Sequence, residues 1–118
     1  ANLSSMDRDR IRNICLALPR ATENVQWGSD LVFKVADKMF AVVNLEPGAT
    51  ALSFKCSPEE FQELSERPGC LPAPYLARAQ WIALESLDAL PAREVQRLLR
   101  QSYDLVVAKL PKKARASL

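Results

Sequence analysis

Ile11, Ile14, Cys15 and Leu18 stand three and four residues apart, the spacing of one helix face, and Pro19 closes the run. The pattern predicts a helix from about Met6 to Leu18, with Ser4 and Asp7 placed to cap its start. Cys15 falls inside the apolar stripe, where a free thiol packs as a small hydrophobe. The polar stretch "ATENVQWGSD" then reads as a connector centred on Trp27-Gly28, with room for a short first strand. In "LVFKVADKMFAVV" the period drops toward two, predicting strands Leu31–Val35 and Lys38–Asn44 joined at Ala36-Asp37. A third strand around Thr50–Cys56 follows the turn residues Pro47-Gly48. A two-residue turn would pair Val35 with Lys38 and Phe33 with Phe40. Leu31, Phe33, Val35, Phe40 and Val42 would then share the core face, with Lys34 pointing away and Lys38 at the hairpin tip.

Ser57-Pro58-Glu59-Glu60 offers an N-cap hydroxyl, a proline at the first helical position and a glutamate at the third. It predicts a second helix to about Glu66, stopped by Pro68-Gly69. Within "CLPAPYLARAQWIALES" a proline-bounded loop leads to a short strand near Tyr75–Ala79 and a strand over Trp81–Glu85, a second hairpin. The last helix runs from Pro91 to about Lys109, with Val95, Leu98, Leu99, Ser102 and Val106 on one stripe and Pro111 as terminator. Ser102 is expected to bond back to the carbonyl one turn earlier. The order predicts an α+β fold, a two-layer sandwich with a largely antiparallel sheet and helices on one face.

A chain of 118 residues supports one core, so residues 1–118 read as a single domain with 110–118 as a basic tail. Hydrophobic residues at 48% and charged residues at 25% exclude a disordered or fibrous chain. No apolar run approaches the ~20 residues that span a bilayer, and the polar start lacks a signal-peptide core. Three cysteines without a close pair argue for a reducing compartment, so a cytoplasmic location is expected.

The absence of histidine removes the commonest general base and metal ligand. Cys15, Cys56 and Cys70 lack metal-ligand spacing, and Gly28, Gly48 and Gly69 are too isolated for a phosphate loop. Glu59 and Glu60 are explained by the positive end of a helix dipole. No catalytic residue, metal or cofactor is therefore expected, and an enzyme or small-ligand binder ranks third among the readings.

The net charge of +2 conceals a division. After Asp104 the chain has Lys109, Lys112, Lys113 and Arg115 and no acid; the remainder holds twelve basic residues against fourteen acidic. A polyanion would have to meet local clusters, because the body supplies no attractive field. The candidates are Lys34, Lys38, Lys55, Arg78, Lys112 and Lys113, with Trp27, Tyr75 and Trp81 as pocket aromatics. Each also has a structural reading. Strand lysines protect solvent faces, tryptophans anchor cores, and lysines complement a helix C-terminus. The residues alone leave both open.

Leu18-Pro19, "ATE" at 21–23, Trp27-Gly28, "VFKV" at 32–35, "KMFA" at 38–41, "SFKC" at 53–56 before "SPEE", Trp81, Ser102-Tyr103 and "KLPKK" at 109–113 occur in this order. Together they resemble the MmcQ/YjbR family of small bacterial proteins, from about Arg10 to Lys113. The resemblance implies an α-β(3)-α-β(2)-α fold similar to frataxin-like CyaY and type III secretion chaperones. It also implies a double-wing arrangement suited to DNA, with wings around Val35–Lys38 and Ala77–Gln80. Relatives often carry a more basic stretch before the tryptophan; here it reads Arg78-Ala79-Gln80. The chaperone likeness implies an alternative, a protein partner on the sheet face. Frataxin-like iron binding does not carry over, since Asp7, Asp9 and Glu23 are sparse and interleaved with arginine.

Overall fold

Asp7 opens the first helix: its side chain accepts a hydrogen bond from the Arg10 amide at 2.7 Å, and α1 runs over Arg8–Leu16. The computed structural model describes residues 6–46 and 48–118; Ser4 and Pro47, the anticipated cap and turn residues, lie outside them. Four strands follow, β1 (Thr22–Gln26), β2 (Asp30–Val35), β3 (Lys38–Asn44) and β4 (Leu52–Lys55). Then come α2 (Pro58–Ser65), β5 (Cys70–Pro72), β6 (Trp81–Leu84), α3 (Ala92–Ala108) and α4 (Lys112–Ala116). The strands form one antiparallel sheet in the order β1-β2-β3-β4-β6-β5. The α+β architecture expected from the sequence is thus present.

Ser57 caps α2 as anticipated, accepting from the Glu60 amide at 3.2 Å with Pro58 at the helix start. Replacing Ser57 by alanine should lower stability by about 1 kcal/mol. A urea titration checks this: the midpoint falls while the slope is unchanged.

One face of the sheet carries the main core. Ile11 and Cys15 of α1, Leu64 of α2, and Val95, Leu98, Leu99, Tyr103 and Val106 of α3 pack there against Phe33, Val35, Phe40, Phe54, Ile82 and Leu84. The opposite face has a smaller apolar patch, Ala73, Trp81 and Ala83 with Met39, Val42, Leu71 and Leu76, to which no helix contributes.

The β2–β3 hairpin departs from the simple register. Val35 pairs with Lys38, and Ala36 and Asp37 have φ of 49° and 63°, a turn with both central residues left-handed. Phe33, however, pairs with Ala41 and not Phe40, because the register shifts beyond Phe33. The extra residue in β3 turns both Phe40 and Ala41 into the core, and Val43 takes the core place expected of Val42.

The bulge explains Ser102. Pairing between β3 and β4 covers only Ala41–Val43 against Leu52–Phe54. Just beyond, the Ser102 hydroxyl donates to the Phe40 carbonyl at 2.6 Å and accepts from the Lys55 amide at 2.9 Å. It serves the sheet and not the preceding turn of its own helix, because two sheet groups there need partners in a buried place. Next to it, Tyr103 donates to the Pro19 carbonyl at 2.6 Å and sets its ring edge to face with Phe40, centroids 5.4 Å apart.

Two further expectations change. The partner of β6 is Cys70–Pro72, with Gly69 at φ 81° supplying the left-handed turn after α2. Tyr75–Ala79 is not a strand; Ala77–Ala79 forms one 3-10 turn. Prolines at 72 and 74 lack the amide donors that a longer ladder needs. Within the basic tail 110–118, Leu110 is buried, 112–116 are helical, and Leu118 packs on the main core.

Candidate functional site

The ends of the strands place the lysines. Lys34 and Lys38 flank the β2–β3 turn and Lys55 closes β4. Lys109 caps the end of α3, with Lys112 and Lys113 in α4 beyond it. A recess formed by Ala36 and Asp37 together with Ala114 and Ser117 shows that α4 lies beside the hairpin tip. All six lysines of the chain therefore gather at one end of the sheet. At the other end a recess is lined by Glu46 and Glu85 with Arg8.

Three of the lysines converge. Lys38, Lys55 and Lys109 line a recess of about 330 Å³ whose walls are Met39, Trp81, Val106, Leu110 and Pro111. Lys55 is half-buried and donates from Nζ to the Ala79 carbonyl at 2.8 Å. Burial holds its pKa below the usual lysine range, and the neighbouring Lys109 charge pushes it the same way. Among the described residues no carboxylate forms an ion pair with this cluster. The ion pairs among the described residues join Arg12 to Glu23, Arg67 to Glu94, Arg97 to Glu60 and Arg100 to Asp104, and none uses a lysine. Lys38, Lys55 and Lys109 thus hold like charges around one part-apolar recess.

The open sheet face carries a second recess, a groove of about 540 Å³. Trp27, from the β1–β2 turn, and Tyr75, from the β5–β6 connection, stand at it with exposures of 69% and 104%. Both have left-handed backbones, φ 52° and 65°, which bulky residues rarely adopt. Val42, Ala73 and Leu76 give the groove an apolar lining, and Asp30, Asn44, Thr50 and Ser53 add polar groups. Met39 lines this groove and the lysine recess alike.

The structure thus divides the sequence candidates. Lys38 and Lys55 meet in one recess, with Trp81 buried as its wall; Trp27 and Tyr75 meet in the other. Lys34, Lys112 and Lys113 surround the basic end without lining the recess, and Arg78 is exposed on the 3-10 turn just before Ala79. Lys109 and Met39, which the sequence did not single out, also line the lysine recess. Lys109 follows Val106 by one helical turn, a spacing that keeps it on the sheet-facing side of α3.

The thiols offer little chemistry. Burial pushes Cys15 and Cys56 up to about 12 and raises Cys70, so thiolate is scarce at neutral pH. Among the described residues no three cysteine, aspartate or glutamate side chains gather as a metal site requires, and no helix is long and apolar enough to cross a membrane. The one buried side-chain atom without a partner among them, Gln101 Oε1, lines neither recess.

Comparison with known proteins covers most of the chain. A family model described as YjbR matches residues 16–105. Over 104 residues the chain is 31% identical to the uncharacterised protein YjbR of Escherichia coli K12, spanning 86% of this chain and 87% of that one. The crystal structure of the Deinococcus radiodurans protein DR2400, with a DUF419 domain, matches at a TM-score of 0.83 and 30% identity, covering 99% of this chain and 89% of that one. A Pseudomonas syringae protein matches at 0.70 with 22% identity, over 85% of this chain and 98% of its own, a likeness of fold.

Proposed function

The chain belongs to the YjbR family, and from that premise we propose that it is a nucleic-acid-binding domain that holds phosphates at its lysine-rich end. The observation that carries this reading is the gathering of all six lysines at one end, none in an ion pair with a carboxylate. An exposed lysine with no partner is ordinary. Lys38, Lys55 and Lys109 around one apolar-walled recess are a different case, because an anion there would offset both the burial of Lys55 and the nearby Lys109 charge. The hairpin tip and the β5–β6 connection flank the recess, which is where two projections would meet a phosphate backbone.

Fluorescence anisotropy with a labelled DNA oligonucleotide across salt concentrations tests the reading. With about three to five phosphates engaged, log affinity should fall against log salt with a slope of roughly −2 to −4.5, the shallower values for single strands. A chain that binds no oligonucleotide at low salt sinks it.

A second reading has its own support. The open sheet face, with its apolar groove and exposed Trp27, suits a polypeptide partner. Stoichiometric capture of one defined protein, with no oligonucleotide bound, would favour it.

A further inference from the structure

Resting on the nucleic-acid reading, we propose that the groove between Trp27 and Tyr75 receives an unpaired nucleobase, so that the chain prefers single-stranded nucleic acid to duplex.

Four observations converge. Two aromatic side chains stand exposed at one groove and anchor nothing in the core. Both project from turns with left-handed backbone, φ 52° and 65°. Met39 lines both the groove and the lysine recess, which lets a strand lay a base in the first and neighbouring phosphates in the second. The charges sort the ligand the same way. Among the described residues Asp30 is the only charged one lining the groove, which repels phosphate and leaves the neutral base as the favoured occupant. Its carboxylate is an acceptor for an exocyclic amine, and Asn44 and Ser53 lie along the same groove with both donors and acceptors. In duplex DNA the bases are stacked and paired, so they cannot enter a groove walled by tryptophan and tyrosine.

The test uses the full chain with a short mixed-sequence single strand and its duplex, both fluorescein-labelled, and variants Trp27→Ala, Tyr75→Ala and Trp27→Phe. The wild type should bind the single strand more tightly. Each alanine variant should lose roughly 5- to 100-fold in single-strand affinity, keep the wild-type salt slope, and leave duplex affinity unchanged. Trp27→Phe should recover most of the loss, since a ring is restored. Because both side chains are exposed, thermal melts should match the wild type. Unchanged single-strand affinity in both alanine variants, or equal losses on duplex and single strand, would overturn the base-stacking groove while leaving phosphate binding intact. Failure of the wild type to bind either probe would overturn the nucleic-acid reading itself.

Discussion

Replacing Ser102 by alanine is expected to destabilise the chain by on the order of 2–4 kcal/mol, far more than loss of one exposed hydroxyl would cause. The hydroxyl has two partners, the Phe40 carbonyl and the Lys55 amide, both at the point where β3 and β4 stop pairing. Alanine leaves both backbone groups without that partner in a region sealed by Phe40, Tyr103 and Val106. Each buried group left bare costs about 1–3 kcal/mol. Calorimetry should register a lower melting temperature, roughly 3–5 °C for each kcal/mol in a chain of this size. Ser102→Thr keeps the hydroxyl and should recover part of the loss, limited by the added methyl in a packed core. If Ser102→Ala melts within a degree or two of the wild type, the bridge has no structural role.

Reversing charge at the recess should have the largest effect on binding. The variant Lys38→Glu/Lys55→Glu/Lys109→Glu is expected to lose on the order of 100-fold or more in oligonucleotide affinity at low salt. Lys109→Gln alone should reduce the salt slope by about one. It should also leave stability unchanged or slightly improved, because it removes repulsion against Lys55. That opposition separates a binding residue from a structural one. A triple variant that binds like the wild type would exclude the recess.

The pH dependence has a definite sign. Burial first, and the Lys109 charge second, lower the Lys55 pKa in the free protein. Bound phosphate favours the charged form and raises that pKa, so binding takes up protons. Affinity is full below the free-state pKa of Lys55 and declines as pH rises through it, earlier than for an ordinary lysine.

Elements with strong local signals were legible in the sequence: the Ser57-Pro58 helix start, the stripes of α1 and α3, and the Val35–Lys38 turn. What the sequence withheld came from tertiary demands. A bulge places Phe40 and Ala41 together in the core, and no two-residue period announces it. Ser102 looked like a polar interruption because its partners are 62 and 47 residues away. Lys38 and Lys55 could be named as candidates from strand ends. Their meeting with Lys109 depends on how α3 crosses the sheet, which periodicity does not encode. Trp27 and Trp81 are the same residue type with opposite exposure, because Trp81 lies within β6 and Trp27 in the β1–β2 turn.

The Ser102 and Tyr103 bonds have a consequence for the order of events during synthesis. Tyr103 reaches back 84 residues to Pro19, and Ser102 reaches 62 residues to Phe40. The sheet is built largely from hairpins that can pair as they emerge, yet the part of its helix-facing side that α3 covers stays open until α3 has been made. A nascent chain halted before residue 103 therefore presents Phe33, Phe40 and Phe54 as a continuous apolar surface. Such a surface is prone to aggregation, and arrival of the C-terminal helix ends the exposure.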